Sequence, residues 1–239
     1  MHRKHGTPPL IDRLRRDHQA GHLSRREFFR LAALMGFAVS GASHLLHLAT
    51  PGTAMGAVYG QKLRLAARLP ETTHPAKIIS IPASQVLRQV AEYLTYTDAN
   101  NITHPYLLDR WLVSEDLRTW SLHLKKNIFF NNGHPFTADD VIFSMEQWLN
   151  PAIGSPMKSI LGDCLAPSGI EKRDPHQVVL HLGRPEIELP EQLFHPSAVM
   201  LNHRTFEGDF MKAPHGTGPF RIAAFEKNAR CRLERRYDY

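Results

Sequence analysis

The side chains with the widest capacity for chemistry in this sequence are its 15 histidines. His195 and His203 stand eight positions apart. Four further histidines fall on separate predicted elements, namely His123, His134, His176 and His181. A metal site would need several of these rings to converge in space. We therefore expect each histidine to be a surface residue or a hydrogen-bonded core residue, and we predict no metal site and no cofactor.

Two adjacent carboxylates, Asp139 and Asp140, are the next candidates. They follow Thr137, which is a good helix N-cap, and the helix dipole favours negative charge in the first turn. Carboxylates that share acid–base work must face each other across a substrate. Adjacent residues at a helix start point in different directions, so we expect Asp139 and Asp140 to stabilise a helix rather than to catalyse a reaction.

No other motif predicts catalysis. The sequence has no G-x-S-x-G and no H-E-x-x-H pattern. Residues 216–218, Gly-Thr-Gly, are too short for a phosphate-binding loop, and Pro219 stands where the helix of such a loop would begin. We predict no catalytic residue and no enzyme; an exported enzyme is the less favoured alternative.

The first 56 residues have the organisation of an export signal. A basic, polar stretch leads to the run SRREFFR at residues 24–30, and residues 31–49 are apolar and small apart from two histidines. The run resembles the twin-arginine signal, a resemblance that assigns targeting to Arg25, Arg26, Phe28 and Phe29. It implies a bacterial protein that meets the twin-arginine (Tat) translocon, is cleaved near Gly56 and resides in the periplasm. The alternative is an amphipathic or membrane-anchoring helix.

The basic charge of the chain is concentrated in this leader. The formal net charge is +6. Residues 1–56 hold eight Lys/Arg and three Asp/Glu, whereas residues 57–239 hold 21 and 20. A nucleic-acid-binding protein would carry its positive charge in the folded body, so we predict no nucleic-acid partner.

The body has two cysteines, Cys164 and Cys231. In an oxidising compartment they could form one disulfide. Two buried thiols are an equal alternative, because two cysteines have no spacing pattern that predicts pairing.

Strands and helices alternate along residues 57–239, which predicts a mixed α/β (α+β) fold. Helical spacing of apolar residues predicts a helix over residues 82–97, with Ser84 as its N-cap. A second helix is expected after Thr137 and a short one at residues 190–194. Strands are expected at residues 62–67, 119–125, 220–225 and 230–235, and a hairpin at residues 169–182 with its tip at residues 174–176.

Three landmarks then resemble one family. Residues 105–144, PYLLDRWLVSEDLRTWSLHLKKNIFFNNGHPFTADDVIFS, are followed by GTGPF at residues 216–220 and LERRYDY at residues 233–239. Their order resembles the family 5 extracellular solute-binding proteins of ABC importers. The departures are small: Asn132 stands where the family usually has Asp, and Leu108-Asp109-Arg110 replaces Leu-Ala-Glu.

The resemblance implies a periplasmic binding protein-like fold of type II, with residues 57–239 as the N-terminal portion of the solute-binding domain. It implies capture of a peptide-like solute, delivery to a membrane permease, and no cofactor. By analogy, the loop around Pro82, Ala83 and Ser84 and the side chain of His215 face the ligand cleft.

Family members continue well beyond the third landmark to build a second lobe. We therefore expect most of the first lobe and a small extra domain here, without the second lobe. A single lobe cannot enclose a ligand in the family manner. A non-functional truncated remnant is thus the alternative to a solute-binding protein.

Overall fold

A computed structural model describes residues 62–66, 74–227 and 229–239, together with residues 16, 17, 20 and 22. The chain divides between Arg64 and Leu65, and every element named below belongs to the unit that begins at Leu65. The four residues predicted to carry the export signal, Arg25, Arg26, Phe28 and Phe29, lie outside the described residues.

Helices and strands are interleaved along this unit, as expected for a mixed α/β fold. In chain order they are a 3-10 helix (Pro75–Lys77), α1 (Ile81–Leu87), β1 (Thr95–Thr97), β2 (Thr103–Pro105), β3 (Leu108–Val113), β4 (Thr119–Leu124), α2 (Ala138–Leu149), α3 (Pro156–Leu161), a 3-10 helix (Pro167–Gly169), β5 (Ile170–Asp174), β6 (Gln177–His181), α4 (Leu189–Gln192), β7 (Phe220–Glu226) and β8 (Arg230–Arg235).

The largest sheet has four antiparallel strands in the order β3-β4-β6-β5. Strands β1 and β2 form one separate hairpin, and β7 and β8 form another. Helix α2 contacts β5, β6 and α3, which places its apolar face on the sheet. The strands and hairpins predicted at residues 119–125, 169–182, 220–225 and 230–235 are confirmed.

Strand β4 is central in its sheet and shows the alternation that the sequence predicts. Trp120, Leu122 and Leu124 are buried, while the residues between them are half-buried. Alternate side chains of a strand point to opposite faces, so this pattern directs one face of β4 into the core.

Helix α2 begins as predicted after Thr137. The backbone N–H of Thr137 donates to Asp140 Oδ2 at 2.8 Å, which satisfies a donor at the helix start. The buried residues Val141, Met145 and Trp148 then form an apolar stripe. These residues are three or four apart, which is the spacing of one helix face.

Two predicted elements were wrong. Residues 62–66 have no regular structure and are exposed, and no described strand pairs with them. A strand needs a hydrogen-bonded partner, so alternation alone was insufficient. Helix α1 ends at Leu87, and residues 95–97 are a strand instead. Ser84 is not the N-cap, because Ser80 occupies that position and Ser84 lies inside the helix.

Among the described residues, no helix combines the length and the apolar character needed to cross a bilayer.

Candidate functional site

The segment at residues 216–220 lies against the backbone of the turn that follows α1. Gly218 N donates to Val90 O at 2.8 Å, and Phe220 N donates to Gln89 O at 3.0 Å. A Cβ atom built on Gly216 would overlap Val90 O. Glycine is therefore needed here because another backbone approaches too closely for any side chain. The contact joins the residue that follows His215 in the chain to the turn that follows the predicted ligand segment, residues 82–84.

His215 is held by Asn131, which lies in a turn between β4 and α2. A hydrogen bond of 3.0 Å joins His215 Nδ1 to Asn131 Oδ1. The amide of Asn131 also donates to Pro214 O at 3.1 Å, and its backbone N–H donates to Gly216 O at 2.9 Å. Burial lowers the pKa of His215, and the charge of nearby His134 lowers it further. The ring is thus oriented and neutral near pH 7, while its ligand contact stays a prediction.

The predicted ligand loop, residues 82–84, is less accessible to a ligand than the prediction requires. Pro82 lies in the first turn of α1, and the side chains of Ala83 and Ser84 are buried. Ser84 Oγ donates to Ile81 O at 2.8 Å, so its hydroxyl is used inside the helix. The residues of this segment that face outward are Ile79 and Ile81, which are 74% and 64% exposed. A ligand role for residues 82–84 stays a prediction. The exposed surface next to them, formed by Ile79 and Ile81, is apolar.

Arg236 fixes the turn at residues 216–218. The residue is 6% exposed, and its Nη1 donates to the carbonyl oxygens of Gly216, Thr217 and Gly218 at 3.1–3.4 Å. Its Nη2 donates to Phe129 O and to Asp238 Oδ2, and its Nε donates to Asp238 Oδ1. These bonds lower the pKa of Asp238. One buried guanidinium therefore ties the turn to two other segments.

A crevice of about 200 Å³ opens beside this arginine, and we call it the Glu92 crevice. Its polar lining includes Glu92, Tyr106, Lys125, Thr217, Arg236 and Tyr239. The hydroxyl of Tyr239 donates to Glu92 Oε1 at 2.7 Å. Burial and then the charge of Glu92 raise the pKa of Tyr106. Burial also raises the pKa of Tyr239, so both tyrosines are neutral at ordinary pH, and charged groups of both signs line the crevice.

The two aspartates at the start of α2 occupy different environments. Asp139 is half-exposed and forms an ion pair with Lys172 Nζ at 2.7 Å. Asp140 is fully buried, and its Oδ1 accepts from the backbone N–H of His203 at 3.0 Å and lies 2.7 Å from His203 Nδ1. The predicted position in the first turn of α2 is confirmed for both, and Asp140 additionally anchors a distant loop.

The other histidines, acidic residues and cysteines of the described chain do not cluster into a metal site. His104 pairs with Asp98, and His181 pairs with Glu171. Within the described part of the chain, no group of three or more His, Cys, Asp or Glu side chains is arranged to hold a metal ion. Cys164 and Cys231 are both free thiols, and burial raises the pKa of each.

Sequence reasoning missed three residues of this region: Glu92, Thr217 and Arg236. One of them had a local signal, because Glu92 is the single charged residue in the run VAEYL at residues 90–94. A charge within an apolar run is worth attention, since charged side chains are rarely buried without a partner.

Comparison with known protein families gives a clear match. The model for bacterial extracellular solute-binding proteins, family 5 Middle, matches residues 103–239. The oligopeptide-binding protein OppA of Haemophilus influenzae is 28% identical over 185 residues, covering 70% of this chain and 34% of the relative. The dipeptide-binding protein of Escherichia coli is 29% identical over 155 residues, covering 54% of this chain and 28% of the relative.

Solved structures agree. The crystal structure of H. influenzae OppA in complex with RPPGFSPFR matches with a TM-score of 0.65 and 26% identity, over 72% of this chain and 37% of that one. NikZ of Campylobacter jejuni, solved with Ni(L-His), matches with a TM-score of 0.62 and 24% identity, over 72% and 34%. The predicted mixed α/β fold of the periplasmic-binding-protein type is confirmed. The chain spans about a third of the length of these relatives.

Proposed function

Because this chain belongs to family 5 of the bacterial extracellular solute-binding proteins, we propose that it acts as the solute-binding component of an ABC importer, or as part of one. Its ligand would be a peptide or another small solute, and its membrane partner would be the cognate permease. The role requires binding and release without a chemical step. No cofactor enters the proposal.

The observation that carries this proposal is the likeness to H. influenzae OppA, which extends over 72% of this chain at 26% identity. Two features of the structure give this region the rigidity that favours ligand binding. The turn at residues 216–218 is tied down by Arg236, and His215 is oriented by Asn131. A surface that is rigid before the ligand arrives loses less conformational entropy on binding.

We place the ligand-facing surface at Ile79 and Ile81, beside the predicted residues 82–84 and near the start of α1. Both isoleucines are large, apolar and exposed. Exposed apolar groups contribute to binding when a ligand covers them. Such a surface can contact the apolar side chains of an extended peptide, but it cannot select a ligand by charge.

The export proposal follows from the leader and from the relatives. The relatives named OppA are described as periplasmic. We propose a periplasmic location for this chain too, reached through the twin-arginine translocon.

Peptide-dependent stabilisation of the purified chain tests the binding proposal. We expect RPPGFSPFR and a mixture of tripeptides to raise the thermal unfolding midpoint in a saturable manner, by an amount equivalent to about 2.7 kcal/mol at a hundredfold excess over Kd. Ile81→Asp should abolish the shift, because it places a charge on the proposed surface.

The control is Ile187→Asp, which changes an equally exposed isoleucine elsewhere and should leave the shift intact. A folded chain that responds to no peptide would contradict the proposal that this chain binds peptides.

A further inference from the structure

Thr217 contributes an unused hydroxyl to the Glu92 crevice. The residue is 2% exposed, and its Oγ1 has no hydrogen-bond partner among the residues that the structure describes. Its carbonyl oxygen is bound by Arg236, so the side chain is held in place. A buried hydroxyl without a partner destabilises the fold unless something else supplies the hydrogen bond. The crevice is the space from which a partner would come, because Thr217 lines it.

Glu92 contributes a carboxylate that lacks a cationic partner. The residue is 3% exposed, and its carboxylate accepts hydrogen bonds from two neutral hydroxyls, those of Tyr239, at 2.7 Å, and of Tyr106. Throughout the described residues, no basic nitrogen forms an ion pair with it within 4.0 Å. Two neutral hydroxyls leave the negative charge of this carboxylate without an opposite charge, and a buried charge is costly when it is unpaired.

The buried cation of the crevice, Arg236, already has its N–H groups engaged. Arg236 donates from Nη1 to three carbonyl oxygens, and from Nη2 and Nε to Phe129 O and the Asp238 carboxylate. It therefore has no N–H left for Glu92. The other charged groups that line the crevice, Lys125 and Asp238, are exposed to water.

We propose that the Glu92 crevice is a binding subsite for a small protonated amine that carries a second polar group. The ammonium binds the Glu92 carboxylate, and the second group exchanges a hydrogen bond with the Thr217 hydroxyl. The volume of about 200 Å³ is roughly that of seven water molecules at about 30 Å³ each. An amino alcohol or a small amino-acid amide fits this space, and a long peptide does not.

The test uses 2-aminoethanol as the probe and ethylene glycol as its uncharged counterpart, added to the ¹⁵N-labelled full chain. We expect 2-aminoethanol to shift the amide resonances of Leu107, Thr217 and their neighbours in a saturable manner, and ethylene glycol to leave them in place. Equal responses to both compounds would overturn the proposal, as would no saturable shift at all, which would mean that the crevice holds only water.

Two variants localise the binding. Thr217→Val keeps the shape and should weaken the affinity about threefold to tenfold, the value of one hydrogen bond. Its ligand-free unfolding midpoint should be no lower than that of the native chain, since the variant removes an unpaired buried hydroxyl. Glu92→Gln should abolish binding. Unchanged affinity in both variants would overturn the proposal.

Thr205→Val is the matched control, because Thr205 Oγ1 is also buried and has no partner within the described part of the chain, but Thr205 does not line the crevice. Its affinity for 2-aminoethanol should equal that of the native chain. This proposal does not rest on the proposed function. A chain that binds peptides but not 2-aminoethanol would overturn this proposal alone.

Discussion

Asp140 is the most connected acidic side chain at the start of α2. Its Oδ2 accepts from Thr137 N, while its Oδ1 accepts from His203 N and lies 2.7 Å from His203 Nδ1. The residue has no exposed surface, so water cannot replace any of these bonds. Its neighbour Asp139 makes one half-exposed ion pair with Lys172. We therefore expect Asp140 to contribute more to the stability of the fold than Asp139.

Asp140→Ala should lower the free energy of unfolding by about 3 kcal/mol, because it leaves buried donors on two segments without their acceptor. Asp139→Ala should lower it by about 0.5 kcal/mol or less, as expected for an exposed ion pair. Urea unfolding followed by tryptophan fluorescence measures both. Equal losses in the two variants would contradict this assignment.

His195 makes stability depend on pH. Its Nδ1 accepts from Ser197 N at 3.2 Å, and burial lowers the pKa of its ring below the ordinary value of 6.5. As the pH falls through about 6.5, the unfolded chain takes up a proton on this ring before the folded chain does. The folded state is therefore fully favoured above that pH and loses stability below it. His74 and His215 act in the same direction, since burial also lowers their pKa values.

His195→Asn should reduce the loss of stability between pH 7.5 and 5.5. Its side-chain oxygen can accept from Ser197 N and does not titrate in this range. The urea midpoint, measured at both pH values for the native chain and the variant, gives the comparison. The assignment fails if the variant loses as much stability as the native chain.

At the scale of elements, the contact between residues 216–220 and the turn after α1 depends on the absence of side chains. Gly218 N and Phe220 N reach the carbonyl oxygens of Val90 and Gln89 directly. Arg236 then binds the same segment from its other side. Backbone contacts of this kind connect β7 to α1, although the two elements are far apart in the chain.

Gly216→Ala should destabilise the fold by about 1–3 kcal/mol, the cost of forcing an extra group into a filled space. The added methyl group would overlap Val90 O. Gly183→Ala is the control, because its nearest neighbour would be Cys164 O at an ordinary 3.7 Å. Thermal unfolding of the two variants measures the difference, and a Gly216→Ala chain as stable as the control would refute the close contact.

At the scale of the whole molecule, the two proposed tasks, export and solute binding, fall on separate parts of the chain. The leader holds most of the excess positive charge, whereas residues 57–239 are nearly neutral. The body carries the family match at residues 103–239. Export and solute binding are therefore testable independently of each other.

Replacing Arg25 and Arg26 together with lysine should retain the chain in the cytoplasm, because the translocon reads the arginine pair rather than charge alone. Arg15 and Arg16 form a second arginine pair in the same leader, and their joint replacement with lysine is the control. Cell fractionation and immunoblotting measure both variants. Periplasmic accumulation of the first variant at the native level would rule out the twin-arginine assignment.

The sequence by itself determined the features that depend on neighbouring residues. The alternation of residues 119–125 predicted β4 and its buried face, and Thr137 with its two aspartates predicted the start of α2. These predictions succeeded because a strand's two faces and a helix cap are set by residues within a few positions of one another. The family resemblance extended this reasoning to the fold class.

Only the tertiary structure decided the rest. Residues 95–97 have apolar neighbours at helical spacing, yet they form β1 because Thr103–Pro105 pairs with them. Arg236 binds Phe129 O from 107 positions away, and Asn131 holds His215 from 84 positions away. Thr217 and Glu92 meet in one crevice for the same reason. Such contacts form when segments that are distant in the chain are buried against each other. The whole chain decides which segments meet, so the local sequence shows no periodic pattern that predicts these contacts.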